Sequence, residues 1–167
     1  LNPTYGGDYG HSTNYFTTWL RNSGAAENTV TYTNCTFPNG VSNNQYGKTV
    51  FDNCKFTNGA TGLYNLWNYG GSTEIKNSSF TGTRGIKAYS EGVDGGQIEV
   101  ADTTFNGLGE KAAIVVSKAT TVTLNKVDAT ECTKGLLQKD IDGGSLKTTI
   151  EANGTGISGK FDITATT

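Results

Sequence analysis

Apolar residues recur along this chain in short alternating runs whose phase slips by one residue at a polar position. In VTYTNCTF the run Val30 and Tyr32 continues, across Asn34, as Cys35 and Phe37. The same slip recurs at Asn53 in VFDNCKF, Asn77 in IKNSSF, Asp102 in VADTTF and, more weakly, Lys126 in LNKVDA. Counted from the polar residue, positions −4, −2, +1 and +3 are mostly apolar or small. One strand cannot bury all four, because its side chains alternate between two faces. A bend at the polar residue can. Asn and Asp suit that bend, since they tolerate the left-handed region and bond nearby backbone; Lys126 departs from this chemistry.

The five polar positions are 19, 24, 25 and 24 residues apart, a period that points to a solenoid of stacked units. A second run follows in most units, in LYNLWNYGG from Leu63, GIKAYSEG from Gly85, AAIVVSKA from Ala112 and GLLQKDIDGG from Gly135. Asn-Gly at 39, 58, 106 and 153 marks tight turns between runs. Each unit therefore reads strand, corner, strand, turn, strand, turn. About 24 residues at roughly 3.3 Å each can trace one closed coil, with coils about 4.8 Å apart. A leucine-rich repeat has the right length, but the apolar positions here are Val, Ile, Phe and Tyr.

Through its N-C-x-F and N-S-x-F units the chain resembles the right-handed parallel β-helices of the pectate-lyase-like superfamily, over roughly residues 29 to 152. It also resembles repeat modules of large bacterial cell-surface proteins. The fold expected is all-β, a single-stranded right-handed parallel β-helix of about six short coils. Residues 1–28 form an N-terminal cap or imperfect first coil, 29–152 the coils, and 153–167 a terminal coil or edge cap and linker. Two internal features are expected. Phe37, Phe56, Phe80 and Phe105, all at +3, stack as one column, and the side chains of Asn34, Asn53, Asn77 and Asp102 form an inward, backbone-bonded ladder. This architecture hosts lyases, glycosidases, adhesins and spacers alike, so function must come from a site.

Composition narrows the classes. A net charge of −2 with 17% charged residues and no basic run leaves no nucleic-acid footprint. No apolar stretch approaches the ~18 residues of a spanning helix, so no membrane insertion is expected. The opening LNPTYGG and the absence of Met read as a domain excised from a larger chain. Low charge with many neutral polar residues fits an extracellular or cell-surface location.

Candidate chemistry is sparse. Cys35 and Cys54 should stack on adjacent coils within disulfide range, though buried thiols packed as small apolar groups fit better; Cys132 lies off that column. His11 is the only histidine and has no recognisable partner. Glu91 and Asp94 in EGVDGG and Asp140 and Asp142 in KDIDGG lie two coils apart, so they cannot share one calcium ion. The coil between brings Lys118 and Thr120. No metal and no cofactor are expected. Lyases of the resembled superfamily pair calcium-binding acids with an Arg or Lys base. Arg84, Lys87, Glu91 and Asp94 supply the residue types but no convincing cluster. The N-x-S/T matches at Asn34, Asn77 and Asn153 suggest glycan acceptors, but inward corners would bar the first two. A Thr-rich ice-binding face is excluded because its column runs Thr31, Val50, Glu74, Glu99, Thr123.

Aligned on their closing glycines, LYNLWNYG and IKAYSEG place Tyr64, Leu66 and Asn68 inward over Ile86, Ala88 and Ser90. Trp67 then faces out over Tyr89, and Tyr69 over Glu91, with Tyr46 in the column of Tyr69 and Lys87 beside them. Adjacent exposed aromatics mark an interface, and flat rings with polar tips suit sugars and protein hot spots. The function expected is a non-catalytic binding or adhesion module of a secreted or surface-anchored protein, contacting a polysaccharide or a host surface protein through Tyr46, Trp67, Tyr69, Tyr89, Lys87 and Glu91. A lyase or hydrolase fragment and a structural stalk are the alternatives.

Overall fold

In the computed structural model, residues 18–22, 29–45, 47–68, 71–89, 96–117 and 120–139 are described. Asn34, Asn53, Asn77, Asp102 and Lys126 hold φ between 45° and 57°, and among the described residues they are the non-glycine positions in the left-handed region. These are the five corners read from the sequence. Lys126 adopts the conformation without the side-chain chemistry that favours it.

Strand β1 (Thr18–Asn22) stands at one end. Three coils follow, each with three separate strands: β2 (Thr29–Thr33), β3 (Thr36–Phe37) and β4 (Val41–Gln45); β5 (Lys48–Asp52), β6 (Lys55–Phe56) and β7 (Tyr64–Asn68); β8 (Ser72–Lys76), β9 (Ser79–Thr81) and β10 (Arg84–Tyr89). Beyond them the corner is absorbed into one long strand, β11 (Gly96–Asn106) before β12 (Ile114–Ser117), then β13 (Thr120–Asp128) before β14 (Leu137–Lys139). Pairing of β11 with β13 persists on both sides of Asp102 and Lys126, from Gly96 opposite Thr120 to Thr104 opposite Asp128. The expected six coils thus reduce to three that carry the complete set.

All pairings are parallel. Among the described residues one sheet has six strands in the order β1-β4-β7-β10-β12-β14, and the other eight, running β2-β5-β8-β11-β9-β6-β3 with β13 on β11. Each strand's neighbours come from the coils before and after, which defines an all-β parallel β-solenoid; no helix occurs among the described residues.

The core is the repeat made physical. Phe37, Phe56, Phe80 and Phe105 stack with centroid separations of 5.0, 4.3 and 4.8 Å. Position −2 supplies a second column, Tyr32 stacked on Phe51 at 5.3 Å and then Ile75, Val100 and Leu124, the last three fully buried. Position +1 accounts for the repeated Asn-Cys. Cys35, Cys54, Ser78 and Thr103 each donate to the carbonyl two residues back, on Thr33, Asp52, Lys76 and Ala101. The Ser78 and Thr103 hydroxyls also accept from the backbone N–H of the preceding coil's +1 residue, Cys54 and Ser78. A small X–H side chain recurs there at the first four corners, a thiol serving as a weak version of the hydroxyl, while Val127 fills the position after Lys126 without one.

The inward ladder at the corners is corrected. Asn34, Asn53, Asn77 and Asp102 are exposed. Because −2 and +1 both point inward, the two residues between them must both point out. Their side chains bond along the surface instead: Asn53 Nδ2 donates to Asn34 Oδ1 at 2.6 Å and Asn77 Nδ2 to Asp52 Oδ1 at 2.8 Å. Burial therefore no longer bars Asn34 or Asn77 as glycan acceptors; Asn153 lies outside the described residues. An internal Asn pair does exist, on the other sheet. Asn43 Nδ2 donates to Asn68 Oδ1 at 2.7 Å, and Thr73 Oγ1 donates to the same oxygen at 2.9 Å. Buried amides left without such partners would cost roughly 1–3 kcal/mol each.

Two glycines are dictated by close backbone approach. A Cβ on Gly82, which also has φ +118°, would lie 2.0 Å from the Asn58 carbonyl oxygen, and one on Gly85 2.2 Å from that of Ala113. The second contact lets β12 lie directly against β10, where the expected aromatic column sits.

Candidate functional site

On the six-strand sheet Leu66, Ile86 and Ala88 enter the core, so Trp67 and Lys87 alternate onto the opposite face as expected. Their register differs from the expected one by two residues. Trp67 lies opposite Lys87, not Tyr89, and Tyr64 opposite Arg84. Alignment on the closing glycines misplaced the rung, because the turns after the two strands differ in length.

The column through Trp67 is not an open aromatic row. Its neighbours are Ser42 on one side and Lys87, then Val115, on the other. Ser42 is 6% exposed, Lys87 4% and Val115 1%, while Trp67 is half-buried. The expectation that Lys87 faces solvent is therefore corrected. Its ammonium sits 5.8 Å from the Trp67 ring centroid, a cation held on a π face. Trp67 also meets Tyr64 edge-on at 5.8 Å, and the Arg84 guanidinium covers Tyr64 at 5.3 Å. Arg84 Nε pairs with Glu110 Oε2 at 2.7 Å, and Glu110 accepts from the Gly62 N–H. Ring faces and cations on this side thus serve one another. Tyr89 continues β10, and its side chain lies outside the described residues, as do Tyr46, Tyr69 and Glu91 altogether. Asp94, Lys118, Asp140, Asp142 and His11 fall outside them too.

The eight-strand sheet presents a different surface. Its outward positions form in-register columns: Lys48, Ser72 and Gln97; then Thr31, Val50, Glu74, Glu99 and Thr123; then Thr33, Asp52, Lys76, Ala101 and Asn125. The broken Thr column is as read from the sequence. Lys48, Ser72, Glu74, Gln97, Glu99 and Thr123 line an open groove of about 160 Å³. Glu74 sits between two ammonium groups, Lys48 Nζ at 2.7 Å and Lys76 Nζ at 3.0 Å. Hydrogen bonds from Lys48 and Lys76 hold its carboxyl below the usual carboxylate range, and Glu74 raises the Lys76 pKa in return. Glu99, one strand along, makes no hydrogen bond or ion pair among the described residues, although Lys76 lies near enough to feel its charge.

Sequence reasoning found the Glu74–Glu99 column but missed the groove. The signal was available: Lys48 and Lys76 stand two residues from the same column on neighbouring coils, and Lys–Glu complementarity across a parallel ladder follows from that spacing.

The cysteines are free thiols. Burial pushes the Cys54 and Cys132 pKa values up, which disfavours the reactive thiolate. Among the described residues no three His, Cys, Asp or Glu side chains gather as a metal set.

The fold and its surfaces define a parallel β-solenoid with one packed outer face and one open, polar outer face. No family model, curated protein or solved structure matches the chain.

Proposed function

We propose that this chain is a non-catalytic binding module of a secreted or surface-anchored protein, a domain of a larger chain that contacts carbohydrate or a protein surface outside the cell. Its kinship is with the pectate-lyase-like β-helices and the repeat modules of bacterial surface proteins, carried by the N-C-x-F and N-S-x-F units. The observation that supports the reading is the open polar face of the eight-strand sheet. Parallel stacking fixes the spacing of its outward side chains before any ligand arrives, so little ordering entropy is lost on docking. The aromatic column contributes less than the sequence suggested, because Lys87 is buried on Trp67.

A glycosidase reading is weakened by Glu74. A general acid must hold its proton near neutral pH, and two lysines keep this carboxyl ionised. A lyase base is no better served, since Arg84 is paired with Glu110 and Lys87 is covered. A glycan and matrix-protein array run beside a turnover screen on acidic polysaccharides separates the readings. Binding without turnover supports the module, turnover supports the enzyme fragment, and neither supports the stalk.

A further inference from the structure

The groove of the eight-strand sheet allows a ligand class to be named, an inference that rests on the binding reading. We infer that it takes an uncharged polyhydroxyl chain, a neutral oligosaccharide, with Glu99 as the principal hydrogen-bond acceptor and Gln97 and Thr123 beside it. Glu99 and Glu74 lie directly opposite one another on adjacent strands but differ in their partners. Both oxygens of Glu74 are taken by lysines, whereas those of Glu99 make no hydrogen bond or ion pair among the described residues. A carboxyl group presents two oxygens with several acceptor sites. Vicinal hydroxyls supply paired donors for them, while Gln97 and Thr123 offer the donors and further acceptors that a hydroxyl also needs.

The same face disfavours other ligands. Asp52, Glu74 and Glu99 outnumber Lys48 and Lys76, and both lysines are already ion-paired with Glu74, so an acidic polysaccharide meets a net negative surface. A divalent cation would want several oxygen ligands, and two carboxylates, one of them ion-paired, do not provide them. A peptide strand needs a free sheet edge, but β8 and β11 are paired on both sides.

The test is retention of the whole chain on immobilised neutral glucans, xylans and mannans, with polygalacturonate alongside. Glu99→Ala should weaken binding to the best neutral ligand at least tenfold and leave the melting temperature unchanged, since Glu99 is exposed. Thr123→Val should weaken it less, and Lys55→Ala, an exposed change after the corner of the second coil, should not alter it. Glu99→Ala binding as tightly as the parent would overturn the groove while leaving the module standing. Preference for polygalacturonate over every neutral glycan would overturn the ligand class. Failure to bind any glycan while binding a matrix protein would overturn the inference and keep the broader reading; failure to bind anything would remove both.

Discussion

Phe80 is fully buried, with Phe56 stacked 4.3 Å on one side at an interplanar angle of 1° and Phe105 4.8 Å on the other at 16°. Truncating it to Ala removes on the order of 150 Å² of apolar surface, worth about 4 kcal/mol at ~25 cal/mol per Å². The loss of two ring contacts adds roughly 0.5–1.5 kcal/mol each. Summed, these terms reach about 5–7 kcal/mol, an upper bound because the unfolded chain already buries part of the ring; parallel strands held on both sides allow little relaxation, so the measured loss should sit near the top of the ~3–5 kcal/mol range for large core aromatics. Phe80→Leu keeps most of the volume and should cost well under half as much. The assay is urea unfolding followed by circular dichroism, with the slope checked as well as the midpoint. A shallower slope would mean that the solenoid had begun to unfold coil by coil, as expected when one nearest-neighbour interface is weakened. A loss below about 1 kcal/mol for Phe80→Ala would show that the column is not continuous and that the repeat register is wrong.

The other expectations concern the corners, the charged groove and the thiols. Lys126→Asn should stabilise the chain by about 0.5–1 kcal/mol in the same unfolding assay, because Asn accepts the left-handed conformation more readily. The lost Lys126–Asp102 contact is 3.6 Å long and exposed, so it subtracts little. Lowered carboxyl pKa at Glu74 means a stabilising contribution present above the unfolded-state value and lost as pH falls through the folded one. Glu74→Gln should therefore lower stability at pH 7 more than at pH 3, and a pH-independent difference would remove the Lys48–Glu74–Lys76 linkage from the account. Cys35, half-buried, should react with iodoacetamide before the buried Cys54 and Cys132, whose raised pKa values mean that their rates should rise only well above neutral pH. Peptide mass mapping would show the order, and Cys54 labelling first would contradict the packing at position +1.

What the sequence disclosed was whatever the backbone period controls. A one-residue slip in alternation located every corner, including Lys126, whose side chain gave no encouragement, because two inward residues separated by two outward ones force the chain through the left-handed region whatever stands there. The same slip already implied that Asn34, Asn53 and Asn77 point outward. The ladder was placed inside on the strength of the residue type, and geometry overrules it. Of the two internal amides, Asn68 was already placed inward beside Leu66, while Asn43 was harder to see, since VSNNQ reads as a polar turn until Thr49 and Thr73 are known to face the same interior.

Register across the six-strand sheet depends on turn length, and turns are where the coils differ, so a glycine is a poor anchor for alignment. The apolar residues Val41, Leu66, Ile86, Ile114 and Leu137 are the true rung. Anchoring there would have put Ser42 and Lys87 beside Trp67 from the start and would have broken the aromatic row. The same reasoning explains why the polar groove was only half legible. Its columns follow from strand register, which the corner fixes, but its chemistry turns on which carboxylate the lysines choose. Lys48 and Lys76 both reach Glu74, leaving Glu99 open, and that choice is made by side-chain geometry that no alternation pattern encodes.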